Sequence, residues 1–162
     1  MHPPCTHPVR PEVSVTVRAG VPENKRTYSS VVGNNAIGTG HARSTIDSPQ
    51  GWSAKTNAAG QWVQMDLGSV WYVAGTVIQP RVGNTQYVTE YTVQTSVDEK
   101  DWKTMAGTYK GDKSSTTENM FSNGVYVNAR YVRIVVKKWG GHISLRADVL
   151  IAVGSGIATN MT

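Results

Sequence analysis

Ala129-Arg130-Tyr131-Val132-Arg133-Ile134-Val135-Val136 is the strongest strand signal in the chain. β-Branched and aromatic residues at this density suit a pleated, half-buried surface. The run leads to a tip, Lys138-Trp139-Gly140-Gly141, and then to an apolar strand from Ile143 to Ile151. Strand, Gly-rich tip and strand set the pattern for the whole chain. A Trp on such a tip is either a stacking surface for a flat partner or a plug for one end of a barrel, since large aromatics serve cores and interfaces alike.

Working outward, the same signals recur. Val13, Val15 and Val17 alternate with Ser14, Thr16 and Arg18, which predicts a half-buried strand by period two. Gly20 to Lys25 reads as a turn, and Tyr28 to Val32 as extended. Gly33-Asn34-Asn35 closes that segment with residues that tolerate positive φ. Trp62 to Leu67 is a strand ending at Gly68, and Tyr72 to Gln79 follows and ends at Pro80. Arg81 to Thr85 is a loop. Tyr87 to Ser96 is a strand with Tyr91, Val93 and Thr95 on one side. Trp102 to Met105 returns after a hairpin connection, Lys110 to Thr117 is polar loop, and Met120-Phe121 marks a short strand. Leu145 to Val153 is the last strand. No segment carries a convincing 3.6-residue period. Many short strands separated by turn signals predict an all-β sandwich or barrel.

The 162 residues are expected to form one domain over 12–153, between a Pro-rich arm at 1–11 and a tail at 154–162. Charged residues make up 17%, below the roughly 25% usual for soluble domains. The net charge is +5, but the cations are scattered and carry no nucleic-acid-binding motif, so nucleic acid is not an expected partner. A single cysteine, Cys5, excludes an intramolecular disulfide. His2, Cys5 and His7 are metal-ligand types without a fourth partner or a fixed geometry. The start shows no leader-like apolar run, and Ile134-Val135-Val136 is far too short to span a bilayer. Cytoplasmic residence is the default expectation, with export without a leader as the alternative. Asn160-Met161-Thr162 fits a glycosylation sequon at the extreme end.

Catalytic signatures are missing. There is no Gly-x-Ser-x-Gly elbow, HExxH, P-loop or dinucleotide fingerprint. The acids are spread along the chain. The expectation is a non-catalytic protein.

Four segments in order resemble the discoidin domain, also called the coagulation factor five/eight type C domain. They are Thr45 to Trp52; Gln61-Trp62-Val63-Gln64-Met65-Asp66-Leu67-Gly68; Gln86 to Tyr91 through Trp102; and Ala129 to Ile134 with Trp139 to Asp148. Each is weak alone, but their shared order and spacing are specific. The closing Trp139-Gly140-Gly141-His142-Ile143-Ser144-Leu145-Arg146 looks most like the slime-mould discoidin lectins. The resemblance implies a jelly-roll β-sandwich of about eight main strands whose loops at one end bind ligand. It implies a galactose or N-acetylgalactosamine-type glycan as partner, with an anionic phospholipid such as phosphatidylserine, or a protein in adhesion, as alternatives.

A saccharide needs a planar group beneath its C–H face and fixed polar groups around its hydroxyls. Under this resemblance Trp139 is the platform and Arg81 the donor fork. Asn84 and Gln86 follow Arg81, with Gln86 taking the Asn role if the shorter spacing to Asn84 matters. Asn34 and Asn35 close the site from the first loop, and His41 is an extra donor. Arg146 is expected to be structural, paired to Asp47 or Asp66. The resemblance also implies one structural calcium, with Asp47 and Asp148 supplying carboxylates, although the loop from Ser48 to Gly51 is short for that purpose.

Overall fold

The structure is a computed structural model, and it describes residues 14–122 and 125–154. The expected arm at 1–11 with His2, Cys5 and His7, and the sequon at Asn160, lie outside the described residues.

Among the described residues ten antiparallel strands follow one another: β1 (Ser14–Arg18), β2 (Arg26–Tyr28), β3 (Trp52–Ser53), β4 (Trp62–Gln79), β5 (Tyr87–Ser96), β6 (Lys103–Thr104), β7 (Tyr109–Lys110), β8 (Thr117–Met120), β9 (Val127–Gly140) and β10 (Ser144–Gly154). They run β1-β10-β4-β9-β5-β6 across a curled sheet, with β2 and β8 also on β4, β3 on β10 and β7 on β5. This is the expected jelly-roll sandwich. The only helical pieces among the described residues are short 3-10 turns at Glu23–Lys25 and Val32–Asn34. None is long and apolar enough to cross a membrane.

The two strands expected at 62–67 and 72–79 are one bent element. The first part of β4 pairs with β9 from Trp62↔Val135 to Asp66↔Tyr131. The register then breaks between Asp66 and Trp71, where Asp66 Oδ1 accepts the Gly68 N–H at 2.8 Å. Beyond the break, β4 resumes its pairing with β9 from Trp71↔Ala129 to Val73↔Val127, and on its other edge it pairs with β10 from Val73↔Ile151 to Gln79↔Arg146. A bulge of this kind bends and twists a strand enough to carry it between layers.

The core fills the space between the layers. Trp52, Met65, Val73, Tyr91, Val93, Ile134, Ile143 and Leu145 are all buried in it. The Trp52 indole stacks on Tyr28 with ring centroids 5.5 Å apart and donates its Nε1–H to Ser30 O at 2.8 Å. A buried indole with its one donor satisfied contributes its full apolar area without a desolvation penalty. β1 departs from expectation. Val15 and Val17 are 45% and 38% exposed. Among the described residues β1 pairs with β10 alone, at the edge of the sheet, so its alternation marks a strand but does not point it at the core. Gly154, expected in the tail, is the last residue of β10 and pairs with Ser14.

Candidate functional site

The ends of four strands meet at one pole of the sandwich. β4 ends at Gln79, β5 begins at Tyr87 opposite Gly140, β9 ends at Gly140, and β10 begins at Ser144. Two close backbone approaches shape this rim. A Cβ on Gly140 would overlap the Tyr87 ring, and one on Gly141, whose φ is +70°, would overlap the Thr85 carbonyl. Glycine is therefore needed here for space at both positions and for conformation at Gly141.

Arg81 stands in the middle of the rim. Its Nε donates to Gln50 Oε1 and its Nη1 to Gln86 Oε1, each at 3.0 Å. The main chain repeats the tie, since Arg81 N donates to Gln86 O at 3.1 Å. Arg81 Cγ would lie 3.1 Å from a Cβ on Gly51, so that glycine makes the shelf on which the side chain rests. Two glutamine oxygens thus hold the guanidinium, and Nη2 has no protein acceptor among the described residues. A fixed fork with unused donors is suited to neighbouring hydroxyls or an anion.

Two histidines flank it. His41 is half-buried, and its Nδ1 is buried without a hydrogen-bond partner. Burial, then the charge of Arg81, then His142, hold the His41 pKa below the ordinary imidazole value. At neutral pH this ring is uncharged and keeps one unmatched nitrogen. His142 is fully engaged. Its Nε2 is 2.6 Å from Ala54 O and its Nδ1 is 3.0 Å from Asn57 Nδ2, which the Nε2–H tautomer satisfies at both ends. Asn57 Oδ1 also accepts the Ile143 N–H at 2.8 Å, so Asn57 and His142 fasten the turn after β9.

The other expected residues divide. Gln86 lies beside Arg81, with its Oε1 accepting the Arg81 Nη1–H. Trp139 is not on the tip. It is the penultimate residue of β9, opposite Val88, half-buried and packed against the core at the site end. Only part of its surface is exposed. Asn84 is exposed with φ +57°, and its N–H donates to Arg81 O at 3.1 Å, so its backbone makes the turn. Asn34 likewise is exposed at φ +50° in the 3-10 turn, and no contact ties it to Arg81. Asn35 Oδ1 accepts the His41 N–H at 2.9 Å, which fixes the loop that carries His41. Sequence reasoning missed Gln50, Tyr87 and Asn57. Each acts through a partner more than 30 residues away or across a strand pair, and no local pattern reports that.

The implied calcium meets a poor donor set. Asp148 is buried, with Oδ2 accepting Gly20 N–H at 2.8 Å and Oδ1 accepting Val149 N–H at 2.8 Å and Val21 N–H at 3.3 Å. Asp47 Oδ1 accepts Gln79 Nε2 at 3.0 Å. The nearby loop carbonyls are taken by a guanidinium, as Arg146 donates to Ser48 O at 3.0 Å and Pro80 O at 2.9 Å. Among the described residues no three His, Cys, Asp or Glu side chains cluster as a metal site. Asp47 and Asp148 do not fit a shared calcium shell. Arg146 is structural, as expected, but its hydrogen bonds cap carbonyls; among the expected acids, Asp47 favours its charge only from a distance, without a hydrogen bond. Asp66 binds Arg130, at 2.9 and 3.2 Å.

The family model of the F5/8 type C domain matches residues 25–149, and the chain belongs to this family. Rat (Rattus norvegicus) lactadherin is 33% identical over 106 residues, 61% of this chain and 25% of lactadherin. Mouse (Mus musculus) retinoschisin is 29% identical over 108 residues, 61% of this chain and 47% of retinoschisin. The chain thus spans a quarter to about half of these relatives. Among solved structures, discoidin II of Dictyostelium discoideum superposes with a TM-score of 0.60 at 20% identity, covering 78% of this chain and 54% of discoidin II. A family 32 carbohydrate-binding module of Clostridium perfringens NanJ, solved with galactose, gives 0.63 at 19% identity over 84% of this chain and 99% of the module. These two share the fold. Domains of this family are binding modules, some of them accessory to enzymes.

Proposed function

We propose that the chain is a lectin-type module that binds a galactose or N-acetylgalactosamine-type saccharide at the rim formed by Arg81, Gln86, His41 and the exposed part of Trp139. The observation that carries the reading is the Arg81 guanidinium, held by Gln50 and Gln86 with Nη2 unmatched, beside the unpartnered His41 Nδ1. A galactose ring presents vicinal hydroxyls to such a fork and an apolar C–H face to an indole. Solved relatives of this fold hold galactose, and N-acetylgalactosaminyl-β-1,3-galactose, in Clostridium perfringens modules. The module binds its sugar without changing it.

Retention on galactose-agarose, released by free galactose, is the expected behaviour. Arg81→Ala lowers affinity about 10- to 100-fold, the worth of one or two hydrogen bonds to a charged group. Unchanged retention of Arg81→Ala contradicts the proposal. A second reading rests on Val82, which is 51% exposed next to Arg81. An apolar side chain beside a cation suits an anionic lipid surface. Binding to phosphatidylserine vesicles that weakens with salt, without retention on galactose, favours that reading over the first.

A further inference from the structure

The deepest charge among the described residues is not at the rim. Arg26 is 1% exposed, and its guanidinium sits among main-chain oxygens from three segments, one just before it and two farther along the chain. Nε and Nη2 donate to Val21 O at 3.1 and 2.8 Å. Nη1 faces Ser44 O at 2.8 Å, Ser44 Oγ at 3.1 Å and Ala147 O at 2.6 Å. Two carboxylates supply the counter-charge. Glu23 Oε1 is 4.0 Å from Arg26 Nε, and the same carboxylate accepts the Ser44 and Thr45 N–H groups at 2.9 and 2.8 Å. Asp148, next to Ala147, accepts the Gly20 and Val21 N–H groups.

We infer that Arg26 is a built-in structural cation that replaces a metal ion in fastening the 20–23 turn, the 41–48 loop and β10 to one another. Carbonyls and a late acid converging from separate loops are the shell a hard cation seeks. Here that shell already encloses a permanent positive charge, and a second cation at the same oxygens meets electrostatic repulsion with its ligands occupied. A guanidinium also has five directed donors, enough to bridge several carbonyls at once, whereas an ammonium has three around one point. Such a charge is tolerated only because every segment around it presents an oxygen. The 41–48 loop carries His41 at its start and leads to Gln50, so the clamp also sets the floor of the rim. This inference concerns the scaffold and stands whether or not the rim takes a sugar.

Thermal unfolding of the intact chain in EDTA and in millimolar calcium is the first arm. The same midpoint in both is expected; a midpoint that falls in EDTA and recovers with calcium overturns the inference. In the second arm, Arg26→Lys and Arg26→Ala each lower the midpoint on the order of 10 °C, as removing one partner of a buried charge network does. Midpoints within a degree or two of wild type overturn it. If neither variant folds, the wild type still decides through the Arg26 Nε–H. Its exchange with water is expected to be far slower than that of the half-exposed Arg133, and equal rates overturn the inference.

Discussion

At the scale of the residue, the rim depends on one cation held without an acid. Arg81 is fixed by the side-chain oxygens of Gln50 and Gln86, so its charge is not neutralised and reaches His41. That field adds to burial in keeping His41 neutral. A His whose folded pKa is depressed binds its proton less readily than in the unfolded chain. Its contribution to stability is complete above about pH 6.5 and is lost as pH falls toward the folded value. An NMR titration is expected to give His41 a midpoint below the ordinary imidazole range, and Arg81→Ala to raise that midpoint while leaving it depressed by burial. A midpoint at or above the ordinary value, or one that ignores Arg81, contradicts this electrostatic picture. That Arg81 and Gln86 lie close together was legible in the sequence, because they flank one short loop between two clear strands. Arg26 was not, because a buried Arg within a short extended piece looks like any surface cation until its carbonyls are brought from residues 44 and 147.

At the scale of the element, the strand ends make the site. β5 and β9 were legible from their apolar density, and the bounds of β5 matched its sequence signal at both ends. The unity of β4 was not, because Gly68 ends a strand in most contexts and only the pairing with both β9 and β10 keeps the chain extended through it. The same limit applied to Trp139. A Gly-Gly pair reads as a tip, yet β9 continues through Gly140, because Gly140 is where the Tyr87 ring needs room. The turn therefore starts one residue later, and the indole packs partly against the core. Gly141 is the tightest of these positions, with φ +70° and the Thr85 carbonyl against its Cα. Gly141→Ala is expected to cost roughly 1–3 kcal/mol in urea unfolding, from left-handed strain and the displaced 85–86 backbone. A neutral substitution would show that β5 and the turn after β9 are not in close contact.

At the scale of the whole molecule, the fold separates scaffold from site. The layers share a core built on Trp52, Tyr91, Ile134 and Leu145, and the guanidinium of Arg26 ties the loops beneath the rim. Class and family were readable from sequence because strand and turn signals are local and the four matching segments keep their order. The rim was only half readable, because its geometry comes from side chains that meet across the sandwich. The far end, where β4 changes layers, offers a contrasting cleft of about 150 Å³ lined by Val21, Leu67, Trp71 and Ile151. The two ends make distinct predictions, since each carries an indole. Titration of the ¹⁵N-labelled chain with galactose, followed by NMR, compares them in one experiment. The rim account predicts that the Arg81 Nε–H and Trp139 indole signals move together while the Trp71 indole stays still. Movement confined to Trp71, or no movement of Arg81 at saturating galactose, contradicts it.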